Sequence, residues 1–323
     1  MLKSILAGSS AFREHGKFWT AAWSLVEGCT PVSPGCAHCW LSALEGRVGA
    51  RAVEGAASIP SPLAPGGVFN GKIVCREDRL LLPLRARNPR VYSIWSDLGH
   101  EDVPFGFHAL AHDVMRRSPQ HHFLVITKRP ESFLYAPGRF DPLPNVTILV
   151  TMEDQERVNE RFPQAMSLVD LGWRVGALCE PLLGPISFRW AVGWPANAQY
   201  TAQRPSGSTN HLDALRRLSW VITGGESGHK ARPAHPSWVR ALRDQVKGGG
   251  LPFMFKQWGE WAPVDSEARR FTKPLLAGEG PVGDGLTGSR FGVPPNEVMW
   301  PVKKVGKAKA GRVLDGREWL EVP

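Results

Sequence analysis

Short, almost continuously apolar segments recur along this chain, and segments with a helical spacing of apolar residues lie between them. Runs of about four to eight apolar, β-branched or aromatic residues predict strands, and strands that alternate with helices predict a parallel sheet covered on both faces. FWTAAWSLVEG, from Phe18, makes a plausible first strand. The later strands are predicted in the segments that begin at Val91, His122, Asn145, Trp173, Leu218 and Pro252.

Two of the intervening segments show a helical stripe of apolar residues. Trp238, Leu242 and Val246 form one stripe, after a Pro236-Ser237 start that is typical of a helix N-terminus. The other stripe consists of Phe107, Leu110, Ala111, Val114 and Met115.

The alternation of strands and helices predicts an α/β fold over residues 1–264, a partial (β/α)6-type barrel whose chemistry lies at the C-terminal ends of the strands. The alternation stops after Trp261, and residues 265–323 predict a small C-terminal extension with a basic β-hairpin that turns at Asp315-Gly316. The basic residues of this extension either contact phosphates or keep an exposed sheet edge from aggregating. They are Lys303, Lys304, Lys307, Lys309 and Arg312.

The 323 residues carry a net charge of +9, from 39 Lys and Arg against 30 Asp and Glu. Such an excess suits a polyanionic partner such as nucleic acid, and a protein that is simply basic is the alternative. The 13 Trp residues suit core packing, stacking on bases, or both. No apolar run is long enough for a membrane span and no signal peptide is recognisable, so the sequence predicts a cytoplasmic protein without a membrane partner.

The segment EGCTPVSPGCAHCW places Cys29, Cys36 and Cys39 in one loop, residues 28–40. Three thiolates at this spacing suit a four-iron four-sulfur cluster in which one iron stays open to a further ligand. A structural zinc site is the alternative, and it needs a fourth ligand, for which His38 or a distant histidine is the candidate.

The other two cysteines, Cys75 and Cys179, are far apart, and a total of five Cys does not suggest a disulfide framework. Strand alternation places Cys179 and Glu180 on opposite faces. If Glu180 faces the site, Cys179 is predicted to be buried and inert, whereas Cys75 stays a candidate for chemistry.

Polar residues follow each of the six later predicted strands at its C-terminal end. A single residue of this kind is more often a helix cap or a loop residue, but six sets in register indicate a site at the mouth of a barrel. The sets contain Asp97, Thr127, Lys128, Arg129, Thr151, Glu153, Glu180, Gly224, Gly225, Glu226, Lys256 and Trp258.

The chain carries, in order, the motifs GCTPVSPGCAHCW, SDLGHEDVP, ITKRPE, PLPNVTILVTMEDQ, CEPLLGPI, WVITGGESG, RALRDQV, FKQWGEW and AGRVLDGREW. Taken together, these motifs resemble those of one protein family. That family consists of phage and bacterial radical S-adenosylmethionine (SAM) proteins, usually described only as bacteriophage proteins of unknown function and distantly similar to spore photoproduct lyase. The resemblance covers most of the chain, from about Trp23 to the end, and implies a partial (β/α) barrel, a four-iron four-sulfur cluster on the three loop cysteines, and bound SAM.

With SAM as the implied cofactor, the polar residues acquire expected roles. Trp40 stands where the family often has Tyr, and His38, before the third Cys, either packs near adenine or faces solvent. The candidate catalytic residues are Cys75, Lys256 and Trp258. The candidate nucleic-acid contacts are Arg129, Lys303, Lys304, Lys307, Lys309 and Arg312. The candidate SAM contacts are His38, Trp40, Asp97, Thr127, Lys128, Thr151, Glu153, Glu180, Gly224, Gly225 and Glu226.

The resulting prediction is a radical SAM enzyme that acts on a modified thymine base of phage DNA in the host cytoplasm. The expected reaction is an isomerisation that rearranges an amino-acid-bearing 5-substituent, and the expected partners are this DNA and a one-electron reductant such as flavodoxin or ferredoxin. Repair of a thymine photoproduct is a second hypothesis. The third hypothesis is a non-catalytic nucleic-acid-binding protein with a structural iron–sulfur or zinc site. The polar residues at the strand ends argue against it, because a structural site does not need them.

Overall fold

A computed structural model describes residues 1–49, 63–134, 140–188, 214–263, 273–276 and 299–323. Within these residues the protein is mixed α/β. The helices are α1 (Leu2–Ala7), α2 (Ser10–His15), α3 (Trp40–Gly49), α4 (Leu82–Arg85), α5 (Phe105–Arg116), α6 (Gln155–Asp170), α7 (Pro236–Gly248) and α8 (Lys307–Ala310). None of the helices in this part of the chain is long and apolar enough to cross a membrane.

The strands of the described residues belong to one large and three small sheets. They are β1 (Ala21–Ala22), β2 (Val26–Glu27), β3 (Val74–Cys75), β4 (Val91–Ile94), β5 (His122–Thr127), β6 (Val146–Thr151), β7 (Arg174–Cys179), β8 (Trp220–Thr223), β9 (Phe253–Phe255), β10 (Trp261–Pro263), β11 (Lys273–Leu276), β12 (Met299–Lys304), β13 (Val313–Leu314) and β14 (Arg317–Glu318).

The large sheet has seven strands in the order β1-β4-β5-β6-β7-β8-β9. Pairing is parallel between β1 and β4, β4 and β5, β5 and β6, β7 and β8, and β8 and β9. β4, β6, β8 and β9 are buried along their whole length, as expected for strands covered on both faces. All seven predicted strands are confirmed, and a sheet of this order is compatible with the predicted partial barrel.

Both predicted helical stripes lie on helices, but one member of the stripe that begins at Phe107 is wrong. α7 buries Trp238, Leu242 and Val246 as expected. On α5, Leu110 is 53% exposed, and His108 is buried instead. With about 100° of rotation per residue, the buried face of α5 is centred near Ala111, and Leu110 lies outside it while His108 lies within it.

The chain divides into two compact units. Unit 1 consists of Met1–Val150 with Leu171–Arg174, and unit 2 of Thr151–Asp170 with Val175–Pro323. In unit 1, the ring of Phe123 stacks on Tyr92 with centroids 5.5 Å apart, and Trp23 packs against Phe123 at 5.3 Å. Trp23, Tyr92 and Phe123 thus form a buried aromatic cluster at β4 and β5.

The predicted C-terminal hairpin is confirmed in unit 2, where β13 and β14 pair antiparallel. Asp315 and Gly316 both adopt positive φ, 52° and 78°, as a two-residue turn of this kind requires. The segment after the hairpin covers β9, because the Phe255 N–H donates to the Trp319 carbonyl at 2.9 Å. The last strand of the seven-stranded sheet is therefore paired on both sides within unit 2.

Several tryptophans act as structural anchors. Their indole N–H groups donate to backbone carbonyls at 2.7 to 3.1 Å. Burial of an indole is favourable when its single donor finds a partner in this way. The tryptophans concerned are Trp23, Trp220, Trp258, Trp261 and Trp319.

The buried His122 of β5 makes the fold sensitive to acid. Its Nε2 lies 2.9 Å from Thr147 Oγ1. Burial, followed by the charge of Arg174, lowers the pKa of His122 from 6.5 to about 3. Below pH 6.5 the unfolded chain therefore binds a proton that the folded protein excludes, and stability falls with falling pH. We predict that this histidine accounts for a loss of about 2 kcal/mol in the free energy of unfolding between pH 7 and pH 5.

Urea unfolding of His122→Gln at both pH values measures this contribution. The variant should lose about 2 kcal/mol less than the wild type over the interval. His15→Gln, at an exposed histidine, is the matched control and should behave as the wild type. Equal losses in wild type and His122→Gln would contradict the prediction.

Candidate functional site

The cysteine loop of unit 1 joins β2 to α3. At its start, Gly28 has φ 86°, and a Cβ there would lie 1.9 Å from the Lys72 carbonyl oxygen, so only glycine fits. Pro34–Cys36 form a single 3-10 turn, and the Cys39 N–H donates to the Cys36 carbonyl at 3.2 Å. The three loop cysteines are free and partly exposed.

Two cationic side chains from the end of β5 reach the sulfurs of this loop. Lys128 Nζ lies 3.4 Å from Cys36 Sγ and donates to Ser33 Oγ at 3.0 Å. Arg129 Nη1 lies 3.9 Å from Cys29 Sγ. The predicted strand-end residues of β5 are therefore brought to the predicted metal ligands.

Asp97, at the end of β4, organises these residues. Its Oδ1 accepts hydrogen bonds from Thr127 Oγ1 at 2.7 Å and from the Gly99 N–H at 3.0 Å. Its Oδ2 accepts from the Lys128 N–H at 3.2 Å and from Arg129 Nη1 at 3.0 Å. In this structure the carboxylate predicted to contact SAM is occupied by four donors of the protein itself.

The surroundings of Cys29 and Cys36 shift the pKa values of these two thiols in opposite directions. Burial, with a contribution from the charge of Asp97, raises the pKa of Cys29 to about 11, and Arg129 offsets this only in part. Burial also acts to raise the pKa of Cys36, but the Lys128 ammonium and hydrogen bonds from Val32 and Ser33 bring it below its ordinary value. Cys36 is thus the more readily ionised of the two.

The loop fits a thiolate-bound cluster in its donor chemistry. Three thiols between positions 29 and 39, with two cations beside them, match the anionic sulfur ligands that iron–sulfur clusters require. Among the described residues, no three His, Cys, Asp or Glu side chains are already gathered as a metal-binding group.

Trp40 follows the third cysteine and begins α3. Its side chain is 50% exposed, and its ring meets the ring of Trp95 edge to face at 5.1 Å. Ser96, next to Trp95, has φ 62°, a left-handed conformation that is uncommon for a residue other than glycine. His38 is partly exposed in the same loop. A half-exposed aromatic surface thus borders the cysteines.

In unit 2, two predicted SAM contacts are occupied by a buried arginine of α6. Arg161 Nη1 lies 3.0 Å from Glu153 Oε2 and donates to the Thr151 carbonyl at 2.8 Å. Glu153 and Arg161 are both almost completely buried. Removal of either partner would leave an uncompensated buried charge, so this pair is structural in the form seen here.

A second ion pair of unit 2 joins the ends of β7 and β9. Lys256 Nζ lies 2.9 Å from both carboxylate oxygens of Glu180, and Gln257 Nε2 donates to Glu180 Oε1 at 3.3 Å. This pair keeps part of its surface exposed. A Cβ at Gly224 would come within 3.1 Å of Glu180 Oε1, so the small residue gives the carboxylate its space.

The neighbouring glycine and glutamate also have partners within unit 2. A Cβ at Gly225 would lie 1.9 Å from the Trp258 carbonyl oxygen, so the close approach at this glycine is to protein backbone. Glu226 forms a two-point pair with Arg232, through contacts of 2.8 and 2.5 Å. Trp258 is buried and its indole donates to the Val313 carbonyl, which makes it part of the packing of the hairpin.

The two cysteines outside the loop differ in burial. Cys179 is buried, as predicted, and burial raises the pKa of its thiol far above the ordinary range. Cys75 lies on β3, paired with Val26 of β2. Burial, with the charge of Glu77, raises the pKa of the Cys75 thiol as well.

The basic residues of the extension lie on several elements rather than on one hairpin. Lys303 and Lys304 end β12, Lys307 and Lys309 belong to α8, and Arg312 precedes β13. The four lysines are exposed. Arg312 pairs with Glu318 at 2.9 Å, and Lys304 Nζ donates to the His229 carbonyl. Lys304 and Arg312 are thus held by contacts within unit 2, whereas only exposure is established for Lys303 and Lys309 among the predicted nucleic-acid contacts, and Lys307 lies near the charges of Glu180 and Glu260.

Sequence reasoning missed several residues of the cysteine site. His100 Nε2 lies 2.9 Å from Thr30 Oγ1, Arg129 Nη2 donates to the Thr30 carbonyl at 3.0 Å, and Glu101 pairs with Arg129 at 2.8 Å. Thr30 and Ser33 could have been suspected because they lie between cysteines. His100 and Glu101 belong to the SDLGHEDVP motif, but no spacing rule connects them to position 30.

Comparisons with known proteins place the chain in one family. Residues 15–323 match the family described as protein of unknown function DUF5131. No curated protein and no solved structure shows significant similarity to the chain. Because the match extends over nearly the whole sequence, the chain belongs to the DUF5131 family.

Proposed function

We propose that this protein is a radical SAM enzyme that holds a four-iron four-sulfur cluster on Cys29, Cys36 and Cys39 and acts on a modified thymine base in DNA. The main support is the placement of Lys128 and Arg129 at the sulfurs of the cysteine loop, 3.4 and 3.9 Å away. This loop meets the C-terminal ends of parallel strands, where enzymes with β/α architecture keep their active sites.

The chain's own residues would bind and orient the two cofactors. The three thiols, once ionised, would ligate the cluster, and Lys128 and Arg129 would offset its negative charge. Trp40 offers a half-exposed ring to adenine, and the ammonium of Lys128 suits a carboxylate. Bound together, the cluster and SAM would supply radical hydrogen-atom abstraction from the substrate, with the electron coming from a one-electron reductant.

The proposed substrate is a thymine derivative with an amino-acid-bearing 5-substituent, and the proposed reaction is its isomerisation. The net charge of +9 and the exposed lysines of unit 2 support a nucleic-acid substrate. The choice of base and reaction rests on the motif resemblance, as does the need for a one-electron reductant such as flavodoxin or ferredoxin. A base in a duplex must leave the stack to react, so single strands or flipped bases are expected to be preferred.

Iron analysis after anaerobic reconstitution tests the cluster. The wild type should hold about four irons per chain with matching sulfide. Cys29→Ala, Cys36→Ala and Cys39→Ala should each lose most of it, because each removes one of only three protein ligands. Cys75→Ala, which removes a partly exposed cysteine outside the loop, should retain it. Stoichiometric zinc without iron in the wild type would replace this proposal with a structural zinc site.

Trp40→Ala should weaken SAM binding to the reconstituted protein. Loss of one aromatic stack on a base costs about 1–3 kcal/mol, which corresponds to a loss of affinity of about 5-fold to 150-fold. Isothermal titration calorimetry measures the dissociation constant. Phe105→Ala, at another partly exposed aromatic residue of unit 1, is the control and should bind SAM as the wild type does. Equal affinities for the wild type and Trp40→Ala would remove Trp40 from the SAM site.

Replacement of Lys303, Lys307 and Lys309 by Gln should weaken the dependence of DNA binding on salt. Each phosphate contact that is lost lowers the slope of log K against log salt by about 0.7 to 0.9, so the slope should fall by about 2 to 3. Fluorescence anisotropy with single-stranded DNA at several salt concentrations gives the slope. A triple variant at the exposed Lys3, Lys72 and Lys230 controls for net charge. Equal slopes in the two variants would show that the extension makes no specific phosphate contacts.

A further inference from the structure

We propose that Arg129, oriented by Asp97, is a positioning residue that fixes the Cys29 end of the cysteine loop for metal binding. This inference deepens the proposed function and rests on it where it concerns iron. The part that concerns the fixed position of Cys29 is a property of the protein without metal. The two parts are therefore tested separately.

The guanidinium of Arg129 connects Asp97, the cysteine loop and Glu101 through three different nitrogen atoms. Nη1 donates to Asp97 at the end of β4, Nη2 donates to the Thr30 carbonyl in the cysteine loop, and Nε pairs with Glu101 at 2.8 Å. Nη1 also faces Cys29 Sγ at 3.9 Å. Because a guanidinium is planar and presents its donors in a fixed fork, these contacts fix the loop in direction as well as in distance.

Asp97 is saturated by its donors and buried. A carboxylate with four protein donors has little capacity left for a ligand, so its function is to hold its neighbours. Its Oδ1 accepts hydrogen bonds from the Gly99 N–H and from the Thr127 hydroxyl. The other oxygen holds Lys128 and Arg129, the two residues that reach the cysteines.

The backbone around Asp97 is built to allow this arrangement. Ser96 adopts φ 62°, a left-handed conformation that is unfavourable for a residue with a side chain. At Gly99 a Cβ would come within 2.9 Å of Thr127 Oγ1 and 3.0 Å of the Arg129 carbonyl oxygen. Ser96 and Gly99 thus lie on either side of Asp97 in the sequence, and both have a backbone that the surrounding structure must hold in place.

The Cys36 end of the loop is held differently. Lys128 contacts Cys36 Sγ and Ser33 Oγ through one ammonium, which acts as a compact point charge with freely rotating donors. The Cys29 end depends on the shape of a guanidinium, whereas the Cys36 end depends on charge. This difference predicts that a charge-preserving substitution is tolerated at position 128 and not at position 129.

The test compares Arg129→Lys, Arg129→Gln, Asp97→Asn and Lys128→Arg with Arg116→Gln. Arg116 forms an exposed ion pair with Asp113 on α5 of the same unit and serves as the matched control. The first readout is the alkylation rate of each cysteine in the metal-free full-length protein, resolved by mass spectrometry. Thermal unfolding confirms that each variant is folded, and Arg129→Lys keeps the test valid if Asp97→Asn does not fold.

We expect Cys29 to be alkylated several-fold faster in Arg129→Lys and in Asp97→Asn, with Cys36 unchanged in Arg129→Lys. Arg129→Gln also removes the positive charge that favours the Cys29 thiolate, so its rate at Cys29 should rise less than in Arg129→Lys. Lys128→Arg and Arg116→Gln should leave Cys29 at the wild-type rate. If Arg129→Lys restores the wild-type rate at Cys29, only charge matters at position 129 and the positioning role is overturned. Faster alkylation of all cysteines alike would indicate general loosening and would overturn it too.

The second readout is the apparent affinity for iron, from competition with a chelator after reconstitution. Loss of a residue that orients a metal ligand typically costs about 10-fold to 100-fold in metal affinity. We expect a loss in that range for Arg129→Lys and none for Arg116→Gln, and an unchanged iron affinity in Arg129→Lys would overturn the role in metal binding. If alkylation of Cys29 is faster in the variants as expected while the wild type binds no iron, the positioning of Cys29 stands and the proposed cluster fails.

Discussion

The candidate site of unit 1 depends on one buried carboxylate. Asp97 gathers the end of β4, the end of β5 and, through Arg129, the first cysteine of the loop. A buried carboxylate is costly unless its oxygens are fully hydrogen-bonded, and the four donors here meet that requirement. The same requirement fixes where Lys128 and Arg129 must lie, so the need to satisfy one anion determines which cations face the thiols.

Charged residues at the strand ends have different kinds of partner in units 1 and 2. In unit 1 the cations at the end of β5 extend beyond Asp97 to sulfur atoms. In unit 2, Glu153 and Glu226 are each matched by an arginine, Arg161 and Arg232. The Glu180–Lys256 pair differs in that both of its side chains are partly exposed. Polar residues at the ends of parallel strands therefore include both ion pairs within unit 2 and cations that contact the thiols of the cysteine loop in unit 1.

Much of the fold could be predicted from the sequence because its signals are local. Continuous apolar runs identified the seven strands, and Asp315-Gly316 identified the hairpin, since positive φ at both turn positions demands such residues. The cysteine loop was visible from spacing alone. The partners of the strand-end charges were not, because Arg161 and Arg232 lie on other elements and no sequence period relates them to Glu153 or Glu226. Leu110 was misplaced because a helical stripe drawn from apolar residues alone ignored the buried His108.

The anchored tryptophans have an optical consequence. Indoles that are buried and hydrogen-bonded to backbone carbonyls, such as Trp23, Trp220 and Trp258, emit fluorescence at short wavelengths because little water relaxes around them. Trp40 is half exposed and lies beside the third cysteine, so it contributes to the long-wavelength edge of the emission. Iron–sulfur clusters absorb broadly across this emission range and would quench the nearest indole by energy transfer. The part of the emission that comes from Trp40 should therefore report events at the cysteine loop without any added label.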